Sequence, residues 1–254
     1  MPSREKVLLA GDTNTSKTLS LVSLAILYPE NRVCILDPDD GVGKVIEEFG
    51  LDLDDMPNLT VIPVTPDWAQ LLSLYKQMKS VMGADDWMCF DMMGRFWDFA
   101  QNYYSKTVFG VSPTEHLLNL RRQAQRPAFG GFDGLTDWTI IKRMHNEELV
   151  DDALLWSTFN VMATTSTSYY LPVENVPKTG IHGLIAQNFG VKIEGEKHNP
   201  YRFDTIAIMY RDQQGRYLSR LAKDKGRHVD LNYVLDLTSS NFWQKYLEYR
   251  GRVR

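Results

Sequence analysis

The stretch Gly11-Asp12-Thr13-Asn14-Thr15-Ser16-Lys17-Thr18 has the frame of a phosphate-binding loop, G-x-x-x-x-G-K-[ST], with Ser16 standing at the second glycine. Successive backbone N–H groups in such a loop, together with the positive end of the following helix, cradle phosphates. Lys17 is placed to reach β/γ-phosphates, and the Thr18 hydroxyl to ligate Mg²⁺. Serine is small and can hold a right-handed helical conformation, so the substitution at position 16 is compatible with a working loop. A phosphate site of this kind needs an acidic partner for the metal. Asp91, closing the apolar run Trp87-Met88-Cys89-Phe90, is the natural candidate. A second acidic site, Asp37, Asp39 and Asp40, follows another apolar run, and one of these carboxylates could deprotonate an attacking water. A solvated acidic turn and a turn-capping aspartate are the structural alternatives for these two clusters.

The elements that must position these residues can be read from the apolar pattern. Residues 6–10 form a short apolar strand directly before the loop. Residues 18–28 follow as a helix with Leu21, Leu24, Ala25 and Tyr28 on one face, and Pro29 stops it. Residues 32–37, 59–64, 87–91 and 158–164 read as further strands, and 73–82 as a helix. Ser112 to Glu115 is a capping box with proline at the first helical position. Residues 204–223 read as a late β-hairpin turning at Gln214-Gly215. Apolar strands alternating with helices predict an α/β fold, a mostly parallel central sheet covered by helices on both faces. No linker or repeat divides the chain, so residues 1–254 are expected to form a single domain.

Composition limits the partners. With 254 residues, 43% of them hydrophobic, the chain can bury a sizeable core, and a net charge of -4 means that any polyanion contact must use a local basic surface. Cys34 and Cys89 sit in apolar runs without metal-ligand spacing, which fits buried thiols in a reducing compartment. No segment reads as a secretory signal or a membrane span, so a cytoplasmic location is expected.

The order GDTNTSKT, CILDPDD, WMCFDMM and a late AKDKGR resembles the RecA-type ATPase core, and is most similar to the RecA-like ATPases of bacteriophages that act in single-strand annealing and recombination. That resemblance implies a RecA-like P-loop NTPase that uses ATP and Mg²⁺, with Gly11 to Thr18 binding nucleotide and Thr18 and Asp91 serving the metal. It implies Asp39 as the general base, although the family usually has glutamate there, and a sensor position near Thr164-Thr165. It further implies a homo-oligomer with nucleotide at or near the subunit interface, where Lys223, Lys225 and Arg227 act on a neighbour's ATP. An exposed basic strand end would look the same. The stretch from Thr165 to Pro200 lacks sustained periodicity and carries Tyr169, Tyr170, Lys178, His182, Lys192, Lys197 and His198. In RecA relatives the loops here touch single-stranded DNA, and aromatic faces beside lysines suit that contact; a lid or oligomer contact suits it equally. Neither His182 nor His198 has the partner pattern of a metal site. Leu120 to Arg126, with Lys142-Arg143, adds basic surface or the solvated face of a helix.

Two functions follow: an ATP-hydrolysing protein acting on single-stranded DNA in recombination, annealing or replication, or a P-loop switch or structural subunit with little hydrolysis. A packaging motor is a third option.

Overall fold

The computed structural model describes residues 4–123, 131–133, 136–225 and 229–252. Its centre is β1 (Lys6–Gly11), flanked on one side by β5 (Asn160–Tyr169) and on the other by β7 (Thr205–Arg211), both parallel to it. Beyond β5 lie β4 (Trp87–Phe90), β2 (Val33–Asp37) and β3 (Leu59–Pro63), all parallel. Beyond β7 the sheet turns antiparallel with β8 (Tyr217–Asp224) and β9 (Val234–Asp236), giving the order β3-β2-β4-β5-β1-β7-β8-β9. The expected hairpin is therefore β7–β8, with Gly215 at φ 82° in its turn.

The central strands are apolar on both faces because both faces are covered. Leu8, Ala10, Cys34, Leu36, Met88 and Phe90 point into one core with α3 (Trp68–Lys79), α4 (Met93–Phe109) and α6 (Asp137–His145). Val7, Leu9, Val33, Ile35, Trp87 and Cys89 point into the other, with α1 (Lys17–Leu27), α2 (Val42–Glu48) and α9 (Phe242–Arg252). The mostly parallel sheet with helices on both faces is as the apolar pattern predicts. α3 begins five residues before the predicted start, because Asp67 accepts from the Gln70 N–H and caps it. Ser112 caps α5 (Pro113–Arg122) through the Glu115 N–H, as the capping box requires.

The stretch after Thr165 differs from the expected long loop. β5 continues to Tyr169 and pairs antiparallel with β6 (Val191–Ile193), and between them α7 (Gly180–Phe189) is enclosed by two glycines with positive φ. A short α8 (Asn199–Arg202) follows. Periodicity was hard to see there because the elements are short and separated by turn formers. Since Gly11 is level with Ser166, β5 runs three residues beyond the end of β1, roughly 10 Å, carrying Tyr169 past the carboxyl rim of the sheet. Among the described residues, no helix is long and apolar enough to cross a membrane.

Candidate functional site

The end of β1, the turn at residues 12–16 and the start of α1 bring the predicted loop to the carboxyl rim of the sheet. Gly11 is required here: a Cβ would stand 2.3 Å from the Met209 carbonyl of β7, so only glycine lets the loop press against that strand. Ser16 takes φ 64° and ψ 22° as the N-cap of α1. The right-handed conformation expected of it is wrong; the residue occupies the left-handed region that glycine at this place adopts freely. Its side chain makes no capping bond, while its carbonyl accepts from the Ser20 N–H at 3.1 Å and the Ser20 hydroxyl at 2.9 Å.

Lys17 is buried, 8% exposed. Its ammonium donates to the Gly11 carbonyl (3.1 Å), the Asp12 carbonyl (2.5 Å) and Thr15 Oγ1 (3.3 Å). Burial lowers its pKa, opposed by the charges of Asp91 and Asp12. Next to it, Thr18 Oγ1 donates to Asp91 Oδ2 at 2.9 Å, joining residues 73 positions apart. Asp91 is 2% exposed, and its other oxygen accepts from the Thr164 hydroxyl, which in turn accepts from the Met92 N–H at 2.7 Å. Burial raises the Asp91 carboxyl above its ordinary range against the pull of both hydroxyl bonds. A buried carboxylate beside a threonine hydroxyl at the mouth of a phosphate loop is a hard-oxygen donor set suited to Mg²⁺, which keeps most of its waters. Among the described residues, no group of three or more His, Cys, Asp or Glu residues could hold a metal.

The three aspartates after β2 separate in role. Asp37 is buried and accepts from the N–H groups of Asp39, Gly41 and Val42 at 3.2, 3.2 and 2.9 Å, so it ties down the turn into α2. Asp39 remains at the surface, its Oδ1 accepting from Arg95 Nε at 3.1 Å. The turn passes close to Asp91, since a Cβ on Gly41 would lie 3.9 Å from its Oδ2.

Lys223 and Lys225 are not brought to this site. β8 runs antiparallel, so it ends towards the opposite rim: Lys223 is level with Leu8 and the strand end at Asp224 with Val7, roughly 10 and 13 Å from Gly11 along the strands. Lys223 donates to the Pro200, Tyr201 and Phe203 carbonyls, and Lys225 pairs with Asp204 at 3.4 Å. Arg227 lies outside the described residues. In the β5–β6 arm, Tyr169 is 73% exposed, but Tyr170 lies under the Lys192 ammonium, which also pairs with Glu174 at 2.7 Å. The free set there is Tyr169, Lys178 and Lys197. His182 donates through Nε2 to the Lys197 carbonyl at 2.6 Å, and His198 contacts Glu196 at 2.8 Å. Of the basic segment at 120–126, residues 124–126 lie outside the described residues.

One part of the site has no signal in the sequence. A cleft of about 250 Å³ leads from the loop between Phe49 and Tyr217, with the Arg211 guanidinium over the Tyr217 ring at 5.3 Å. A second cavity of about 400 Å³ shares Ser16, Leu19, Phe49 and Tyr217 and extends to Thr238, Asn241 and Gln244. Together they leave room beside the phosphate loop for a planar aromatic group edged by hydroxyls and amides.

Fold and site together define a parallel α/β sheet whose central strand ends in a phosphate-loop turn, paired with a buried strand-end carboxylate. No protein-family model matches the chain, and no curated protein does. Among solved structures, the chain is similar to a crystal structure of the RadB recombinase, at 13% identity and a TM-score of 0.47, over 92% of this chain and 87% of that one. The geometry of the site, rather than that likeness, carries the functional reading.

Proposed function

We propose that this chain is a Mg²⁺-dependent ATPase of the RecA type, of the kind found in bacteriophages, which acts as one domain on single-stranded DNA in recombination, annealing or replication. The observation that carries the reading is the Thr18–Asp91 hydrogen bond, which unites the phosphate loop with the strand-end carboxylate. On this reading the N–H groups of residues 12–18 bind the phosphates, and the Lys17 ammonium exchanges its loop carbonyls for phosphate oxygens. Phe49 and Tyr217 flank the base. Thr18, and Asp91 through water, would hold Mg²⁺, which would supply charge neutralisation at the phosphates. Asp39 takes the proton of the attacking water as the water oxygen bonds to the γ-phosphorus and the bond to the ADP oxygen breaks. The chain works as a homo-oligomer in the cytoplasm, in which Lys223, Lys225 and Arg227 act on a neighbour's nucleotide.

A second reading, a nucleotide switch with little hydrolysis, is favoured by the Arg95 contact that restrains Asp39. Both require nucleotide binding, which calorimetry tests. Lys17→Ala is expected to weaken Mg²⁺–ATP binding by about 1.5–3 kcal/mol, the worth of a charge-assisted contact in a partly dry site. Equal binding by both proteins, each shown to be folded, overturns the assignment.

A further inference from the structure

Beside the Asp91–Thr164 contact lies another cleft, about 460 Å³, lined along α4 by Arg95, Trp97 and Asp98 and on the far side by Thr165 and Glu194. The hydrolysis described above makes no use of it. Arg95 connects it to the phosphate site, because its Nε reaches Asp39 Oδ1 at 3.1 Å. Three residues further along the helix stands Asp98, and side chains at that spacing are neighbours on a helix surface. The Arg95 charge acts on the Asp98 carboxyl, opposing the rise caused by partial burial. The guanidinium therefore has two carboxylates within its range, one on the β2–α2 turn and one on its own helix. The side chains of the observed pair are 55% and 33% exposed, so water screens it and exchange between the two carboxylates costs little.

We propose that Arg95 is a positioning residue that alternates between Asp39 and Asp98, restraining the hydrolytic carboxylate when seated on the first and releasing it when seated on the second. The inference rests on the reading of Asp39 as the base. A carboxylate accepts a proton from water through an oxygen lone pair, and a guanidinium N–H bonded to that oxygen both occupies the lone pair and favours the ionised form. Removing the guanidinium and removing its alternative partner should then act in opposite directions, which a merely structural ion pair would not do.

The test is steady-state ATP hydrolysis by the full chain and by Arg95→Ala, Arg95→Lys, Asp98→Asn and the Arg95→Ala/Asp98→Asn double variant. Arg95→Ala is expected to raise kcat about two- to fivefold, the factor a half-exposed ion pair commands, with KM for ATP changed by less than about twofold. Asp98→Asn is expected to lower kcat by a similar factor. The double variant should match Arg95→Ala, since without the guanidinium the second carboxylate has nothing to hold. Arg95→Lys, which keeps the charge and much of the stem, should fall between wild type and Arg95→Ala, and it covers the case in which the alanine variant does not fold. A kcat for the Arg95 variants at or below wild type, a gain in Asp98→Asn, or a double variant unlike Arg95→Ala overturns the switch. Calorimetry with Mg²⁺–ATP on the same preparations separates the two levels. Absent binding removes the nucleotide reading and the switch with it, whereas intact binding without the opposite shifts removes the switch alone.

Discussion

Ser16→Gly tests the most unusual backbone position in the phosphate loop. The residue holds φ 64° and ψ 22°, and its hydroxyl makes no capping bond, so glycine relieves the left-handed strain and loses no hydrogen bond. That strain is worth about 1–2 kcal/mol. Glycine also loosens the unfolded chain, which offsets about 0.4–1 kcal/mol of the gain. The net expectation is stabilisation by about 0.5 kcal/mol, or roughly 1–2 °C in Tm for a chain of this size. Ser16→Val, with a β-branched side chain forced into the same conformation, should lose at least about 1 kcal/mol. Nucleotide affinity in Ser16→Gly should move less than about tenfold, because the backbone N–H still faces the phosphates. Urea unfolding of the three proteins and calorimetry with Mg²⁺–ATP make the comparison. If Ser16→Val is as stable as wild type, the left-handed assignment is wrong. A gain near a thousandfold in the affinity of Ser16→Gly would instead mark a crippled natural loop and put the switch reading ahead.

Three further expectations concern the assembly, the projecting arm and the core. Mixing Lys17→Ala chains with Lys223→Ala/Lys225→Ala chains should restore part of the ATPase activity, since a cation supplied across an interface is worth up to ~10³–10⁵ in rate; no recovery at any ratio, with both variants folded, removes the role in trans. Tyr169→Ala should cost about 1–3 kcal/mol in oligonucleotide binding measured by anisotropy, whereas Lys178→Ala and Lys197→Ala should mainly flatten its salt dependence. Absence of wild-type binding at low salt, with a non-hydrolysable ATP analogue present, rules out single-stranded DNA as a partner. The third concerns His145, which is fully buried against Trp68 and Trp97, with Nε2 unpartnered and its pKa pushed down to about 4 by that burial. A depressed folded pKa means that the unfolded chain takes up the proton first, so stability falls as pH drops from about 6.5 towards 4. The loss should reach about 2 kcal/mol by pH 5, and His145→Phe should abolish that limb in urea titrations at pH 7 and 5. An unchanged acid limb in the variant would show that His145 takes up its proton as readily in the folded chain as in the unfolded one.

Much of the architecture was legible because β1, β2 and β4 are short apolar runs buried on both faces, and Gly11 to Thr18 sits between a strand and a helix. α4 was missed, although its buried Met93, Phe96, Phe99, Ala100 and Tyr104 follow a helical period, because glycine, tyrosine and asparagine interrupt the apolar signal. α7 hides between Gly180 and Gly190, whose positive φ values bound it tightly enough to look like loop. The conformation of Ser16 is imposed by the turn rather than by the side chain, so residue type suggested the wrong region. The Asp39–Arg95 and Phe49–Tyr217 neighbours are set by strand order, which no local pattern encodes.

β5 is the strand that sits between the phosphate-loop strand and the Asp91 strand, and it is also the strand that leaves the sheet. Thr164 holds the buried carboxylate, and Tyr169, five residues and roughly 17 Å further on, stands at the exposed tip of the same extended segment. The tip and the Asp91 carboxylate are thus two ends of one lever with no hinge of loop between them. Whatever engages Tyr169 and draws on β5 acts on Asp91 through a single hydroxyl. Linkage then fixes a reciprocity: the factor by which nucleotide tightens a ligand at the tip equals the factor by which that ligand tightens nucleotide. Titrating each ligand in the presence of the other measures both factors. A ratio of one in both directions would mean that the lever transmits nothing.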